Sequence, residues 1–145
     1  MIHVFKRLNW TKLLFIFPFS LFILFVSCEK DKDTELDGKW QLKEVMDIDG
    51  VVHPVDTVWY DFQNTLFRYQ YYDTAEKQYH WTHGLKTKEG EDRFRIELLP
   101  YAIPVDSFIL FTDWKSGVRS FTVEKKTRTS LVLSSEGKEY RFKDF

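Results

Sequence analysis

Short runs of alternating hydrophobic and polar residues recur along the chain from Gly38 onward, and no long segment has a persuasive helical period. Alternation with a period of two is typical of half-buried β-strands. The clearest example is residues 93–98, where Phe94, Ile96 and Leu98 alternate with charged residues. The pattern predicts an all-β domain of antiparallel strands joined by hairpins.

The alternation also predicts which side chains face the interior. The first strand has Trp40, Leu42 and Met46 on one side, with Glu44 as the misfit. An acid in that phase indicates a barrel rim or a bulge that shifts the register, or else a group that receives a cationic part of a ligand. In later strands the expected inner residues are Val58, Tyr60, Phe62, Phe67, Tyr69, Tyr71, Tyr79, Trp81, His83, Leu85, Phe121, Val123, Leu131, Leu133, Tyr140 and Phe142.

Two segments that contain proline interrupt the strands. Residues 51–56 are predicted to be a loop, and residues 100–106, with two prolines, an ordered loop or short helical turn. The run Ser107–Phe111 that follows is predicted to be an apolar strand, and Glu136-Gly137 to be the turn of the closing hairpin.

Eight or nine strands with hairpin connections suit an up-and-down β-barrel or a strongly curved sandwich. The barrel is favoured, because closure removes the unpaired edges of the sheet.

A basic segment and a short apolar segment precede the domain. Residues 1–12 hold three basic and no acidic side chains, and the next 14 residues carry no charge. A membrane-spanning helix needs about 20 apolar residues, and Pro18 would break the hydrogen bonding of a shorter one. Residues 1–27 are therefore predicted to be a signal peptide rather than a permanent anchor.

The only cysteine follows this segment directly. Phe25-Val26-Ser27-Cys28 resembles the lipobox of bacterial lipoproteins, in which a small residue precedes the cysteine that is lipidated and becomes the mature N-terminus. The resemblance implies that Cys28 carries fatty acyl groups such as palmitate and attaches the protein to a membrane of the bacterial cell envelope. We expect the outer membrane, with the domain in the periplasm or exposed at the surface.

Residues 28–36 are predicted to be a flexible tether, because six of these nine residues are charged. The folded domain then covers residues 37–145. The acidic residues behind the cysteine resemble the surface-export signals of some Gram-negative lipoproteins, and a purely solubilising linker is the alternative.

The charge balance and aromatic content of the mature chain narrow its function. Once residues 1–27 are removed, 18 basic and 22 acidic side chains remain, which argues against nucleic-acid binding. The 118 remaining residues contain 19 of the 26 aromatic residues, enough for a substantial core. A single cysteine cannot form an internal disulfide.

Gly38-Lys39-Trp40 on the first strand looks like the Gly-x-Trp signature of the lipocalin superfamily. The order of lipobox, charged spacer, Gly-x-Trp strand and β-only domain resembles bacterial lipocalin-like lipoproteins, and residues 120–133 look like the last hairpins of that family. The resemblance implies that an arginine of the last strand packs across Trp40 and closes one end of the barrel. Arg141 is the matching residue.

Binding is the predicted function. An eight-stranded barrel can be filled by side chains or can hold one small, largely apolar ligand. The candidate ligand-binding residues are Tyr60, Tyr69, Tyr71, Trp81 and His83, which would form an apolar wall with hydrogen-bonding tips, or would simply fill the core.

A second hypothesis is an interaction module, such as an accessory subunit or inhibitor, that binds a protein or glycan through the loops at residues 51–56 and 100–106. An exposed aromatic patch of Trp59, Tyr72 and Trp114 would favour it.

Neither catalysis nor metal binding is predicted. The sequence has no nucleophile elbow, helical histidine pair or phosphate-binding glycine loop, so we expect no enzyme and no cofactor. His80 and His83 are three positions apart on a strand and point to opposite faces, so they cannot chelate a metal together, with or without His53.

Overall fold

The computed structural model describes residues 35–145. The predicted signal peptide, Cys28 and the tether up to Thr34 lie outside the described residues. Within the described part, no helix is long and apolar enough to cross a membrane. The elements are the strands β1 (Gly38–Met46), β2 (Val52–Pro54), β3 (Val58–Gln63), β4 (Leu66–Asp73), β5 (Gln78–Lys88), β6 (Arg93–Leu99), β7 (Val118–Lys126), β8 (Ser130–Ser135) and β9 (Lys138–Asp144), and the helix α1 (Val105–Ile109) between β6 and β7.

Eight of the strands form a closed antiparallel barrel. From β3 to β9 each strand pairs with the next, and β1 pairs with both β3 and β9. The short strand β2 pairs with the last three residues of β1, on the side where β3 pairs with the first four. The predicted up-and-down barrel is confirmed. Residues 51–56 are predicted to be a loop, but Val52–Pro54 within them form the strand β2.

The two ends of the barrel differ. The start of β1 lies at one end, together with the β3–β4, β5–β6 and β7–β8 turns; we call this the closed end. The opposite end, which we call the mouth, carries the β1–β2, β4–β5 and β8–β9 turns and the long connection 100–117. Residues 100–117 include α1 and send Phe108 and Trp114 into the core.

Aromatic side chains fill much of the interior. The ring centre of Tyr60 lies 4.9 Å from that of Phe142 and 5.1 Å from those of Phe67 and Tyr69. The alternation of β3, β4, β6, β8 and β9 is confirmed, because the expected inner residues of these strands are buried, with Val58 partly so. The buried members are Tyr60, Phe62, Phe67, Tyr69, Tyr71, Phe94, Ile96, Leu98, Leu131, Leu133, Tyr140 and Phe142.

The predicted phase of β5 is wrong. The four residues expected inside point outward, and among them are Trp81 and His83 of the candidate ligand set. The interior has little room here, because a Cβ on Gly84 would lie 2.8 Å from the carbonyl oxygen of Glu97 and 3.3 Å from the ring of Phe67. Rings from the neighbouring strands already occupy this volume, so β5 places small or flexible side chains inside and its aromatic ones outside.

The segment predicted as a strand at Ser107–Phe111 is instead the end of α1 and the turn after it. The helix begins after Pro104, whose carbonyl oxygen accepts hydrogen bonds from the backbone N–H groups of Ser107 and Phe108 at 3.1 and 3.0 Å. A short apolar run does not distinguish a strand from a helix by period. Only Phe108 of this run is buried, while Leu110 and Phe111 are exposed.

A β-bulge in β1 explains the acid that breaks the first alternation. Between Leu42 and Glu44 the register with β9 shifts, which leaves Lys43 as the extra residue. After the bulge Val45 packs on the core, and Glu44 pairs with Arg141 at 3.3 Å. The predicted bulge is confirmed, and Met46, expected inside, contacts the Arg141 side chain instead.

Candidate functional site

The closed end is built around Trp40. Its indole N–H donates a 2.9 Å hydrogen bond to the carbonyl oxygen of Leu36. Leu36 is buried in the core, whereas the sequence predicts that it belongs to the tether. Gly38 of the Gly-x-Trp motif has a φ of 134°, which residues with a Cβ rarely adopt. The Nζ atom of Lys126 lies 5.0 Å from the centre of the Trp40 ring. The motif therefore forms the floor of the barrel.

The predicted contact of Arg141 with Trp40 is wrong. On β9, Arg141 lies opposite Glu44, whereas Trp40 lies opposite Asp144. Since Tyr140 and Phe142 point inward, the side chain between them points outward, where it pairs with Glu139 at 2.7 Å and with Glu44. Lys126 supplies the cation over the tryptophan instead.

A cavity of about 350 Å³ opens at the mouth. It lies between β1, the β2–β3 connection, the start of β9 and the turn after α1. Its apolar wall consists of Leu42, Val45, Val55, Val58, Tyr69 and Phe111. Its polar lining consists of Asp47, His53, Thr112, Asp113, Lys138 and Tyr140.

Behind the cavity lies a buried cation, Arg119, whose side chain is 2% exposed. Its guanidinium donates to Asp113 at 3.1 Å, to the Ser135 hydroxyl at 3.0 Å and to the Tyr140 hydroxyl, and lies 3.6 Å from Glu136. A buried charge is stable only when paired and hydrogen-bonded, as Arg119 is here. The network connects β7, β8 and β9 to the connection 100–117, which carries Asp113.

The tyrosines near this network stay protonated at pH values above those at which an exposed tyrosine loses its proton. Burial, followed by the charge of Asp113, raises the pKa of Tyr60. Burial and the hydrogen bond to Asp113 raise the pKa of Tyr140. Burial also raises the pKa of Tyr69, whose ring lines the cavity. At neutral pH these hydroxyls are therefore neutral hydrogen-bonding groups.

The rim of the cavity carries a second polar cluster. His53 lies 2.7 Å and Lys138 3.6 Å from the carboxylate of Asp47. The hydrogen bond with His53 is the main cause that lowers the pKa of Asp47. The cavity thus combines apolar walls with carboxylates on two sides, the usual composition of a small-molecule site.

Only one of the five candidate ligand-binding residues reaches this cavity. Tyr69 lines it, while Tyr60 and Tyr71 are buried in the core. Trp81 is 42% exposed on the outer surface, and His83 also lies outside, because β5 has the opposite phase.

The sequence pattern predicts Leu42, Val58 and Tyr140 to face inward but does not identify them, the other lining residues or Arg119 as part of a site. Arg119 could have been identified from the sequence. It is two residues before Phe121 on the same strand, so it faces the same inward side, and a charge that faces inward needs a buried partner. Val55, Phe111 and Asp113 lie in connections, where alternation carries no information about direction.

The three donor atoms of Asp73, Glu76 and His80 lie within 4.8 Å of one another at the β4–β5 turn. The Asp73 carboxylate already accepts the backbone N–H groups of Ala75 and Glu76, and His80 lies 3.3 Å from Glu76. These contacts stabilise the turn. As predicted, His80 and His83 occupy opposite faces of β5.

Trp59, Tyr72 and Trp114, whose exposure as a patch would favour the interaction module, do not form an exposed patch. Trp114 is buried and donates its indole N–H to the Tyr60 hydroxyl at 3.1 Å. Trp59 is covered from outside by Tyr79 and by Phe145 near the C-terminus. A different outer row is exposed and consists of Tyr79, Trp81, Leu85 and Tyr101.

Comparison with known proteins agrees with this architecture. A lipocalin-like protein from Bacteroides uniformis has a TM-score of 0.68 and 30% sequence identity, over 77% of this chain and 99% of that one. An uncharacterized protein from Bacteroides eggerthii has a TM-score of 0.64 and 30% identity, over 75% of this chain and 98% of that one. No curated protein sequence matches the chain. The family model described as a lipocalin-like domain matches residues 23–145, and the chain therefore belongs to the lipocalin-like domain family.

Proposed function

We propose that this protein is a lipid-anchored protein of the bacterial cell envelope, whose barrel binds a small, largely apolar ligand in the mouth cavity. The observation that carries the proposal is the cavity itself, about 350 Å³ with six apolar lining residues and a few convergent polar groups. Below it the barrel is filled by aromatic side chains, so the ligand occupies the mouth and not the whole interior.

Binding, rather than catalysis, fits the cavity. Asp113 and the Tyr140 hydroxyl pair with Arg119, and Asp47 pairs with His53 and Lys138. A lipocalin-like barrel also supports a binding role.

A neutral fluorescent probe, N-phenyl-1-naphthylamine, tests the cavity. We expect one probe to bind per chain, and Val58→Trp, which fills the cavity from its wall, to abolish binding. Val118→Trp is the matched control, because Val118 is exposed and does not line the cavity. Equal binding by the wild type and Val58→Trp would contradict the proposed site.

The anchor is supported by the resemblance of Phe25–Cys28 to a lipobox. Several acyl chains on one residue hold a protein at a membrane far more firmly than one chain, at about 0.8 kcal/mol per buried methylene. We expect the wild type to incorporate labelled palmitate and to fractionate with the outer membrane, and Cys28→Ala to do neither. Equal labelling of the two proteins would exclude lipidation at Cys28.

A second candidate function is a surface interaction with a protein or glycan. The exposed row on β5 and the adjoining connection supports it, with the ring centres of Trp81 and Tyr101 6.3 Å apart. Envelope glycans and cross-linked envelope proteins are the partners to test. We expect the double variant Trp81→Ala/Tyr101→Ala to lose such binding, and unchanged binding would exclude this surface.

A further inference from the structure

We infer that the ligand of the mouth cavity carries a cationic head group that donates hydrogen bonds, an alkyl ammonium, and that this head lies against Asp113. The inference rests on the proposed function, because it concerns the ligand of the same cavity. It divides the ligand into an apolar tail along the wall and a charged head at the polar side.

Asp113 has hydrogen-bonding capacity left for such a head. One carboxylate oxygen accepts from the Arg119 guanidinium at 3.1 Å, and the other accepts from the Tyr140 hydroxyl. Each carboxylate oxygen has two lone pairs, so each can accept a further donor. The side chain is 35% exposed and lines the cavity, which leaves it accessible to a ligand.

The two cations near the cavity, Arg119 and Lys138, already pair with carboxylates of the protein. The Arg119 side chain is almost fully buried and bonded to Asp113, Ser135 and Tyr140. The Lys138 Nζ atom lies 3.6 Å from Asp47. An anionic head would therefore meet the carboxylates of Asp47 and Asp113 and would have to compete with Asp47 for Lys138, the one lysine or arginine among the described lining residues.

The loops around the mouth add a negative field. Segments 47–57, 73–77, 100–117 and 136–138 contain eight acidic residues and three lysines. A cleft surrounded by one sign of charge raises the local concentration of ligands of the opposite sign. This field favours a cation at the entrance as well as at Asp113.

The aliphatic side chains of Leu42, Val45, Val55 and Val58 provide the surface for the tail. They lie on β1, on the β2–β3 connection and at the start of β3. Burial of a tail against this wall contributes affinity in proportion to its apolar area and does not depend on the head group. Among ligands with the same tail, differences in affinity therefore come from the head group.

Three probes with the same tail test the inference: octylamine, octanol and octanoate. Each is titrated calorimetrically into the full mature chain in zwitterionic nanodiscs at pH 7, with empty nanodiscs as the blank. An alkylamine is protonated at this pH, as a lysine side chain is. We expect octylamine to bind about tenfold more tightly than octanoate, the effect of one charge-assisted hydrogen bond, with octanol between them.

The outcomes separate the two proposals. If octanoate binds as tightly as octylamine or more tightly, the head-group inference is overturned while the cavity remains a ligand site. If none of the three probes and no N-phenyl-1-naphthylamine binds, both proposals are overturned.

Asp113→Asn, which keeps the shape of the side chain and removes its charge, tests the residue. We expect it to lower octylamine affinity about tenfold and to leave octanol affinity nearly unchanged. Asp106→Asn is the matched control, because Asp106 is an exposed acid of the same connection that does not line the cavity. An equal loss for octanol would contradict the assignment to Asp113. If Asp113→Asn does not fold, the order of the three probes on the wild type decides the question.

Discussion

The ammonium nitrogen of Lys126 lies 5.0 Å from the centre of the Trp40 ring, at the closed end of the barrel. The two residues come from β7 and β1, which are not neighbours in the sheet. Their contact therefore stabilises the closed end across the barrel rather than along one pair of strands. It takes the place of the contact that the family resemblance predicts for Arg141.

We predict that Lys126→Met lowers the free energy of unfolding by about 0.5–1 kcal/mol, the usual contribution of a cation over an aromatic ring. Methionine retains much of the apolar stem and removes the charge. Urea unfolding measures the change. Lys125→Met is the control, because Lys125 is exposed and its change should be close to zero; equal losses in both variants would contradict the contact.

Removing Arg119, the buried cation behind the cavity, should lower the free energy of unfolding by much more. We predict that Arg119→Met lowers the free energy of unfolding by about 3 kcal/mol, because it leaves Asp113 without its buried partner. Arg141→Met, which breaks only partly exposed ion pairs, should cost about 0–1 kcal/mol. A larger loss for Arg141→Met than for Arg119→Met in urea unfolding would contradict the roles assigned to the two arginines.

Gly84 should not tolerate a side chain. In Gly84→Ala the new methyl group would lie 2.8 Å from the carbonyl oxygen of Glu97, so the backbone of β5 or β6 must move. We predict a loss of about 1–3 kcal/mol in thermal or urea unfolding. Gly90→Ala is the control, since the nearest atom there is 3.9 Å away. A stable Gly84→Ala would mean that the two strands are less closely packed than described.

The buried tyrosines should make the fold sensitive to alkali. Burial raises the folded-state pKa values of Tyr60 and Tyr140 above the ordinary value of 10.0. The stability that they contribute is therefore complete below pH 10 and is lost as the pH rises above it, because the unfolded chain then releases protons that the folded chain keeps. Each such tyrosine should lower the free energy of unfolding by about 1.4 kcal/mol per pH unit in this range.

Urea unfolding between pH 8 and 11 measures this slope. Tyr60→Phe should reduce it, whereas Tyr101→Phe, which removes an exposed hydroxyl, should leave it unchanged. A stability that does not change over this range would contradict the burial of these hydroxyls.

The fold was predictable from the sequence wherever a strand buries one face and exposes the other. Phe94, Ile96 and Leu98 alternate with charged residues, and only one orientation buries them. On β5 both faces carry side chains that can be buried or exposed. Which face points inward therefore depends on the interior volume that the other strands leave free. The glycine at position 84 reflects this lack of volume. The reason is visible only in the folded barrel, where Phe67 and Glu97 lie next to Gly84.

The candidate site was less predictable, because most of it lies outside regular alternation. Asp113 and Phe111 are in the connection after α1, and Val55 is between β2 and β3. Their convergence depends on the closure of the barrel, which brings β9 back to β1. Arg119 is the exception, since a charge in an inward phase already indicates a buried network.

Native mass spectrometry of the protein isolated from its own envelope, without delipidating solvents, tests the central claim most directly. We predict one small molecule of defined mass per chain, beyond the acyl groups, and its loss in Val58→Trp but not in Val118→Trp. A wild-type chain that carries no such molecule, under conditions where N-phenyl-1-naphthylamine bound to a control lipocalin survives, would contradict it.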